Sequence, residues 1–141
     1  MLRRLTATLS TWATVPLRLA TGIAFIGHGA QKVLGAFGGP GLSKFASFPT
    51  PFSFMRPAVA WMTAAAFAEL IGGVLVLLGL FTRIGAFLIV CVMLTVIVGL
   101  QWPKFFAPEG MELALTYLGM ALALLILGGG QASVDRLIAR Q

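Results

Sequence analysis

Residues 58–100 read AVAWMTAAAFAELIGGVLVLLGLFTRIGAFLIVCVMLTVIVGL. This stretch carries only two charged side chains, Glu69 and Arg83. The residues from Gly79 to Arg83 are typical of a tight turn, and they divide the stretch into two apolar segments, 58–80 and 84–100. Each segment has close to the ~17–25 residues that a helix needs to cross the hydrocarbon core of a bilayer. The sequence therefore predicts an antiparallel hairpin of two transmembrane helices.

Two further apolar segments, 15–34 and 111–128, flank this hairpin. None of the four segments alternates apolar and polar residues with a period of two, so strands are not expected. Gly128 to Gly130 end the last segment, and Ser133 is expected to cap a short polar helical turn after it. We predict an all-α membrane protein, an antiparallel bundle of four transmembrane helices, with residues 1–141 forming one integral membrane domain.

The composition supports lipid as the surrounding medium. Hydrophobic residues make up 59% of the chain and charged residues 10%, whereas ordinary soluble domains carry about 25% charged residues. The formal net charge is +6, but the basic residues lie between the apolar runs and form no patch. Such flanking positions suit membrane insertion and anionic headgroups, so no nucleic-acid partner is predicted.

The connection between the first two segments, residues 35–57, is rich in glycine and proline but also holds five phenylalanines. A solvated loop would not carry so many aromatic rings, because these favour the headgroup boundary. Non-helical backbone at membrane depth must be buried in protein or line a wet cavity. We therefore expect an interfacial or re-entrant segment that caps one end of the bundle.

The distribution of basic residues predicts the topology. One side of the predicted bundle holds the N-terminus, the turn at 80–83 and the C-terminus. The basic residues of that side are Arg3, Arg4, Arg83, Arg136 and Arg140, with Arg18 just inside the membrane. The other side carries Lys32, Lys44, Arg56 and Lys104. The positive-inside rule then predicts cytoplasmic termini, with Arg83 as a topology anchor and residues 2–12 as an interfacial lead-in and not a cleaved signal peptide.

Ionisable side chains inside the predicted spans are candidate functional residues, because burying a charge in lipid is costly. Counting along the helices predicts an outer cluster that a ligand could contact: His28, Lys32, Glu112, Gln31 and Trp102, with Glu69 deeper. Arg18 and Glu69 are predicted to form a structural ion pair. Each has a packing alternative: buried pairs can simply fix helix docking, His28 can be a hydrogen-bonded packing residue, and the tryptophans, Trp12, Trp61 and Trp102, can be interface anchors.

Several chemistries are excluded by residue counts. The chain has one histidine and one cysteine, Cys91, so bis-histidine haem ligation, an iron–sulfur cluster and an intrachain disulfide are ruled out within a single chain. Cys91 is expected to be a small buried hydrophobic residue. Neither a metal site nor a covalent cofactor is predicted. A redox role would need a bound quinone or a partner subunit that carries the cofactor.

Several short motifs, in this order along nearly the whole chain, resemble the DoxX family of small bacterial membrane proteins. They are Arg18-Leu19 with Gly27-His28-Gly29-Ala30-Gln31-Lys32, Glu69-Leu70-Ile71-Gly72-Gly73 through Gly79-Leu80-Phe81-Thr82-Arg83, Gly110-Met111-Glu112-Leu113-Ala114-Leu115, and Gly128-Gly129-Gly130-Gln131-Ala132-Ser133-Val134-Asp135. Gly129 departs from the proline common in the family. The resemblance implies a four-helix subunit of the bacterial cytoplasmic membrane, linked to quinol oxidase, to thiosulfate:quinone oxidoreductase, or to a complex that handles thiol and oxidative stress.

Two functional hypotheses follow. In the first, the protein is a subunit of a quinone-linked oxidoreductase, and a quinone lies between the first, second and fourth segments. His28 and Lys32 would then donate hydrogen bonds to its carbonyl oxygens, and Glu69 or Glu112 would carry protons. In the second, it is a non-catalytic membrane scaffold or a small-molecule transport subunit. A partner subunit or a second copy of the chain is expected in either case, since glycine-rich and alanine-rich helix faces can pack against a neighbour.

Overall fold

The computed structural model describes residues 7–139. The predictions for Arg3, Arg4 and Arg140 lie outside these residues, and so does the part of the lead-in at 2–6. All regular elements in the described range are helical. The helices are α1 (Thr14–Leu34), α2 (Gly41–Ala46), α3 (Ala58–Leu78), α4 (Thr82–Val96), α5 (Glu112–Leu127) and α6 (Val134–Ala139). A 3-10 turn, Ala36–Gly38, precedes α2, and a π-helical turn, Ile97–Gln101, extends α4.

The four long helices begin and end within about two residues of the predicted segments, except where α4 passes into its π turn. Two of the described helices are long and apolar enough to cross a membrane: α3, with 21 residues, and α4 with its π turn, with 20 residues. Helix α5 is equally apolar but has 16 residues, a length of about 24 Å at 1.5 Å per residue. Helix α1 has 21 residues and carries the charges of Arg18 and Lys32.

Glycines set the close approach of α1 and α3. A Cβ atom added at Gly29 would lie 2.5 Å from the backbone of Leu70, and one at Gly22 would lie 2.7 Å from Cβ of Leu77. From Gly22 to Gly29 along α1, the contacted residue on α3 moves back from Leu77 to Leu70, so the two helices are antiparallel. Gly27, by contrast, has open space around it, because it lies on another side of α1.

Helices α3 and α4 form the predicted hairpin. They cross tightly near their turn, where a Cβ added at Gly85 would lie 2.9 Å from the carbonyl oxygen of Gly72. The turn itself uses left-handed backbone at Gly79 (φ 67°) and Phe81 (φ 44°). Helix α5 packs against α4 and α1 and completes an antiparallel bundle. The buried core includes Phe25, Val76, Ile89, Met93, Ala121 and Leu124.

The α3–α4 turn, the start of α1 and the C-terminal segment meet at one end of the bundle, as predicted. Asp135 joins them: its carboxylate accepts hydrogen bonds from the backbone N–H groups of Phe81 (2.7 Å) and Thr82 (2.9 Å) at the first turn of α4. Arg83 donates to the carbonyl oxygens of Ala7 and Ile126. Ser133 caps α6 by accepting a hydrogen bond from the backbone N–H of Arg136. The connection at 35–57 lies at the opposite end.

Candidate functional site

An ion pair joins α1 to α3 near this opposite end. The ammonium of Lys32, in the last turn of α1, donates to Oε2 of Glu69 on α3. The close approach at Gly29 and Leu70 brings the two side chains together, because Lys32 lies about one turn beyond Gly29 and Glu69 directly precedes Leu70. The last turn of a helix also favours a cation. The pair is therefore a consequence of how the glycines fix the register of α1 against α3.

The connection between α1 and α3 covers this ion pair. Helix α2 packs against both α1 and α3, and the ammonium of Lys32 lies 5.5 Å from the ring centroid of Phe45. A cation over an aromatic face gains a favourable electrostatic contact. The side chain of Glu69 is 5% exposed and that of Lys32 is 23% exposed. The carboxylate is thus almost enclosed, while the ammonium keeps part of its surface open.

A cavity of about 610 Å³ lies beside the ion pair. Helix α3 lines it with Trp61, Ala64, Ala65 and Ala68, at the spacing of one helix face. Helix α4 lines it with Leu88, Cys91, Val92 and Thr95, at the same spacing. The connection at 35–57 forms its cover with Phe45, Phe48, Pro49 and Met55. Its volume falls within the roughly 300–1,000 Å³ of small-molecule sites.

The ion pair supplies the polar groups that a ligand could use in this cavity. The two threonine hydroxyl groups of the lining already donate to backbone: Thr95 to the carbonyl oxygen of Cys91 (2.9 Å), and Thr50 to the carbonyl oxygen of Met55 (3.1 Å). Among the described residues, no donor reaches Oε1 of Glu69. A protonated lysine has three donors, and one of those of Lys32 is used by Glu69. The site therefore offers one carboxylate acceptor and at least one ammonium donor against an apolar background.

His28, predicted to belong to this cluster, lies elsewhere. It is exposed, and its ring centroid is 6.3 Å from that of Phe25 and 6.5 Å from that of Tyr117 on α5. At 3.6 residues per turn, consecutive residues differ by about 100° around a helix. Because Gly29 faces α3, His28 points to the flank beside α5. Lys32 is about 60° from Gly29, and its long side chain spans the remaining distance to Glu69.

Glu112 and Trp102 also lie apart from the ion pair. Glu112 begins α5, and its Oε1 accepts a hydrogen bond from the backbone N–H of Ala107 (3.0 Å), which closes the loop before α5. Trp102 follows the π turn and is exposed, as are Trp12 and Trp61. Gln31 is half-buried and packs its backbone against Gly39. Of the predicted cluster, the structure brings together Lys32 and Glu69.

Arg18 does not pair with Glu69, contrary to the prediction. Its buried guanidinium donates to four backbone carbonyl oxygens, those of Val76 (3.0 Å), Leu77 (2.8 Å), Gly129 (3.0 Å) and Ala132. These carbonyls lie at the end of α3 and in the glycine segment after α5, regions that α1 reaches at its beginning. The antiparallel register places Arg18 near Leu77 and Glu69 near the other end of α1. Arg18 is thus a structural clamp at the end of the bundle opposite the cavity.

The sequence did not indicate most of the residues that line the cavity. Cys91, expected to be buried, is exposed, and it lines the cavity together with Ala64 and Ala65. The alanines at 64–66 and Ala68 were the sequence signal of a cavity, since small residues on one helix face leave volume beside a neighbouring helix. The phenylalanine-rich connection was correctly predicted to cover one end of the bundle. Its re-entrant character stays a prediction.

These features define a class of protein: a small helical membrane protein with a cavity between two long apolar helices, beside the Lys32–Glu69 ion pair. The chain belongs to the DoxX family, whose model matches residues 13–102. The matched range runs from the start of α1 to the end of the π turn and contains every residue that lines the cavity. Neither a curated protein nor a solved structure shows significant similarity to the chain.

Proposed function

We propose that this protein is a membrane subunit of a quinone-linked oxidoreductase system and that the cavity between α3 and α4 binds a quinone or a similar small molecule. The observation that carries the proposal is the position of the Lys32–Glu69 pair at the wall of an otherwise apolar cavity. A quinone has the matching chemistry, because its apolar ring carries two carbonyl oxygens that accept hydrogen bonds. In the quinol form these become hydroxyl groups, which also donate. This site replaces the one predicted between α1, α3 and α5, because no residue of α5 lines the cavity.

The two side chains suit the two redox forms of such a ligand. The ammonium of Lys32 can donate a hydrogen bond to a quinone carbonyl oxygen, and Oε1 of Glu69 can accept one from a quinol hydroxyl. Oxidation of a quinol releases two electrons and two protons. Glu69 would accept one of these protons, and a basic group of the partner subunit that takes the electrons would accept the other. His28, Glu112, Gln31 and Trp102 have no part in this form of the proposal.

A partner would complete the system. The chain has one histidine and one cysteine, too few for a haem with two histidine ligands or for an iron–sulfur cluster held by four cysteines. The electrons would therefore pass between the bound quinone and a cofactor on a partner subunit. A second copy of the chain is the other partner expected from the small residues on exposed helix faces.

The same proposal includes a full bundle of four membrane spans in one domain, in the bacterial cytoplasmic membrane, with cytoplasmic termini. The apolar length of α3 and α4 supports two spans. The packing of α1 against α3 and of α5 against α4 supports the other two. The Arg18 and Lys32 side chains of α1 are turned to protein partners, which is where charged groups in a span are tolerated.

Quinone extraction tests the proposal. Wild-type protein, Glu69→Gln and Glu112→Gln would be purified from a quinone-containing host, and bound quinone would be extracted and quantified by chromatography. With the extraction done under reducing conditions, the ligand is a quinol whose hydroxyl donates to Glu69. We expect wild-type protein to retain this quinol and Glu69→Gln to retain about tenfold less, since the loss of one charge-assisted hydrogen bond costs about 1.5–3 kcal/mol. Glu112→Gln is the matched control and should behave as wild type. Quinone-free wild-type protein would contradict the proposal.

The second candidate, a small-molecule transport subunit, is favoured by one further observation. A second chamber at the same end of the bundle shares Pro49, Thr50 and Met55 with the cavity and is lined by the exposed Arg56. Two chambers that share a wall could pass a small solute towards the membrane interior. Uptake of solute into proteoliposomes without redox turnover would support this function, whereas quinol oxidation that depends on Glu69 would support the first.

A further inference from the structure

We infer that the cavity opens sideways into the lipid between α3 and α4, and that its ligand enters through this lateral portal as a lipid-dissolved amphiphile with a flexible apolar chain. The portal consists of Ala64 on α3 and Cys91 on α4. The inference rests on the proposed function and specifies how the ligand reaches the same site and which ligands can do so.

The geometry of the hairpin produces the opening. Helices α3 and α4 are in tight contact near their turn, where Gly72 meets Gly85 and Ile89. Away from the turn, α3 presents Ala64, Ala65 and Ala68 to α4, and these side chains are too short to fill the space. The connection at 35–57 packs against the π turn that extends α4, where a Cβ added at Gly99 would lie 2.6 Å from Cβ of Pro51.

The exposure of the lining residues gives the direction of the opening. On the inner side of the cavity, Glu69 and Val92 are buried. On the outer side, Ala64, Cys91 and Trp61 are exposed although they line the same cavity. The edge of the cover, with Phe48 and Pro49, and Leu100 in the π turn are exposed lining residues as well, and all of them are apolar. Residues that both line a cavity and face outward mark its mouth. Because α3 and α4 are apolar enough to cross a membrane, this mouth faces hydrocarbon.

The chemistry along the cavity then selects the ligand class. The polar groups lie at the inner wall, on Lys32 and Glu69, and the mouth is apolar. A ligand that enters from the lipid would place its polar head at the ion pair and leave its chain in the mouth. Such a chain needs no enclosed volume, because it remains in contact with lipid. The site therefore accepts long-chain ligands that a closed cavity of about 610 Å³ would reject.

Binding of two quinones to the full chain in proteoliposomes tests the portal. One is a dimethoxy-methyl-benzoquinone without a tail, and the other has the same head group with a decyl chain. Quenching of tryptophan fluorescence reports binding, with quinone concentrations expressed per lipid. We expect wild-type protein to bind both. Ala64→Phe should weaken binding of the decyl quinone by about tenfold, as the ring obstructs the mouth, and change that of the tailless quinone less than about twofold.

Ala20→Phe is the matched control, because Ala20 is an exposed alanine on α1 that does not line the cavity. It should leave the binding of both quinones unchanged. If Ala64→Phe affects neither quinone, or affects both equally, the portal is overturned and the proposed function stands. If wild-type protein binds neither, the proposed function is overturned and the portal with it.

The native cysteine gives an independent measurement. Cys91 is the single cysteine of the chain, so a nitroxide label attaches at the mouth without any substitution. Collisions with dissolved oxygen, which partitions into lipid, should exceed collisions with a water-soluble nickel chelate. The opposite result would show that the cavity opens to water between α3 and α4 and would contradict the lateral portal.

Discussion

Gly29 of α1 and Leu70 of α3 make a contact so close that a Cβ atom on Gly29 would lie 2.5 Å from the Leu70 backbone. This contact fixes both the distance and the register of the two helices. Lys32 then meets Glu69 at one end of the bundle, and Arg18 meets the end of α3 at the other. Together with the contact of Gly22 at Leu77, the Gly29 contact determines which charged side chains become partners.

Gly29→Ala should destabilise the protein and weaken ligand binding together. Its added methyl group would push α1 away from α3, and overpacking of this kind costs about 1–3 kcal/mol. Gly27→Ala is the matched control on the same helix, because nothing lies within 4 Å of the added Cβ. It should be neutral or stabilising by up to about 1 kcal/mol. Thermal unfolding in detergent measures the stability of both variants. Equal effects of the two substitutions would contradict the packing described.

Arg18→Lys should lower the free energy of unfolding by roughly 2–4 kcal/mol, since each buried carbonyl that loses its donor costs about 1–3 kcal/mol. A lysine ammonium is a point donor and cannot reach all four carbonyl oxygens that the planar guanidinium reaches. Arg83→Lys, which removes hydrogen bonds at a more exposed site, should cost less than about 1 kcal/mol. Chemical denaturation of the two variants provides the comparison. A larger loss for Arg83→Lys would refute the role given to Arg18.

Asp135→Asn should destabilise the bundle by about 1–2 kcal/mol, because an amide NH2 group, which donates hydrogen bonds, replaces one of the two carboxylate oxygens that accept them at the first turn of α4. The Glu109 carboxylate, by contrast, pairs with Lys104 at an exposed position. Glu109→Gln should therefore change stability by less than about 0.5 kcal/mol. Unfolding temperatures measured side by side would decide whether the buried cap has the greater effect.

Lys32 and Glu69 should be strongly coupled in a double-mutant cycle. Each single substitution, Lys32→Met or Glu69→Gln, leaves a partner without its counter-charge in a mostly apolar site, so the double variant should be more stable than the sum of the two losses indicates. A coupling free energy of about 1–3 kcal/mol is expected for residues in contact. Additive losses within about 0.5 kcal/mol would show that the pair does not form.

His28→Ala should leave quinone binding within about twofold of wild type, a difference of less than 0.5 kcal/mol. The reason is that His28 lies beside Tyr117 and not in the cavity. Lys32→Met, which removes the ammonium that donates to the quinone carbonyl, provides the positive control for loss of binding in the same titration. A large loss for His28→Ala would restore the site predicted between α1, α3 and α5.

The amino-acid sequence by itself determined the helical elements and the membrane class. Long apolar runs interrupted by the Gly79–Arg83 turn and the glycines at 128–130 are local features, and they placed helix ends within about two residues of those observed. It also indicated the covering role of residues 35–57 and named Lys32 and Glu69 as candidate site residues, because aromatic and charged residues are conspicuous at such positions. These properties follow from composition and spacing along one segment at a time.

Only the tertiary structure decided which of these residues meet. The rotation and axial register of α1 against α3 decide that Glu69 pairs with Lys32. They also decide that Arg18 donates to four carbonyl oxygens. The cavity beside Cys91 depends on how α3 and α4 diverge from their glycine contact. Close packing between backbones sets both quantities, and a helical wheel drawn for one helix contains neither, because it holds no information about the neighbouring helix.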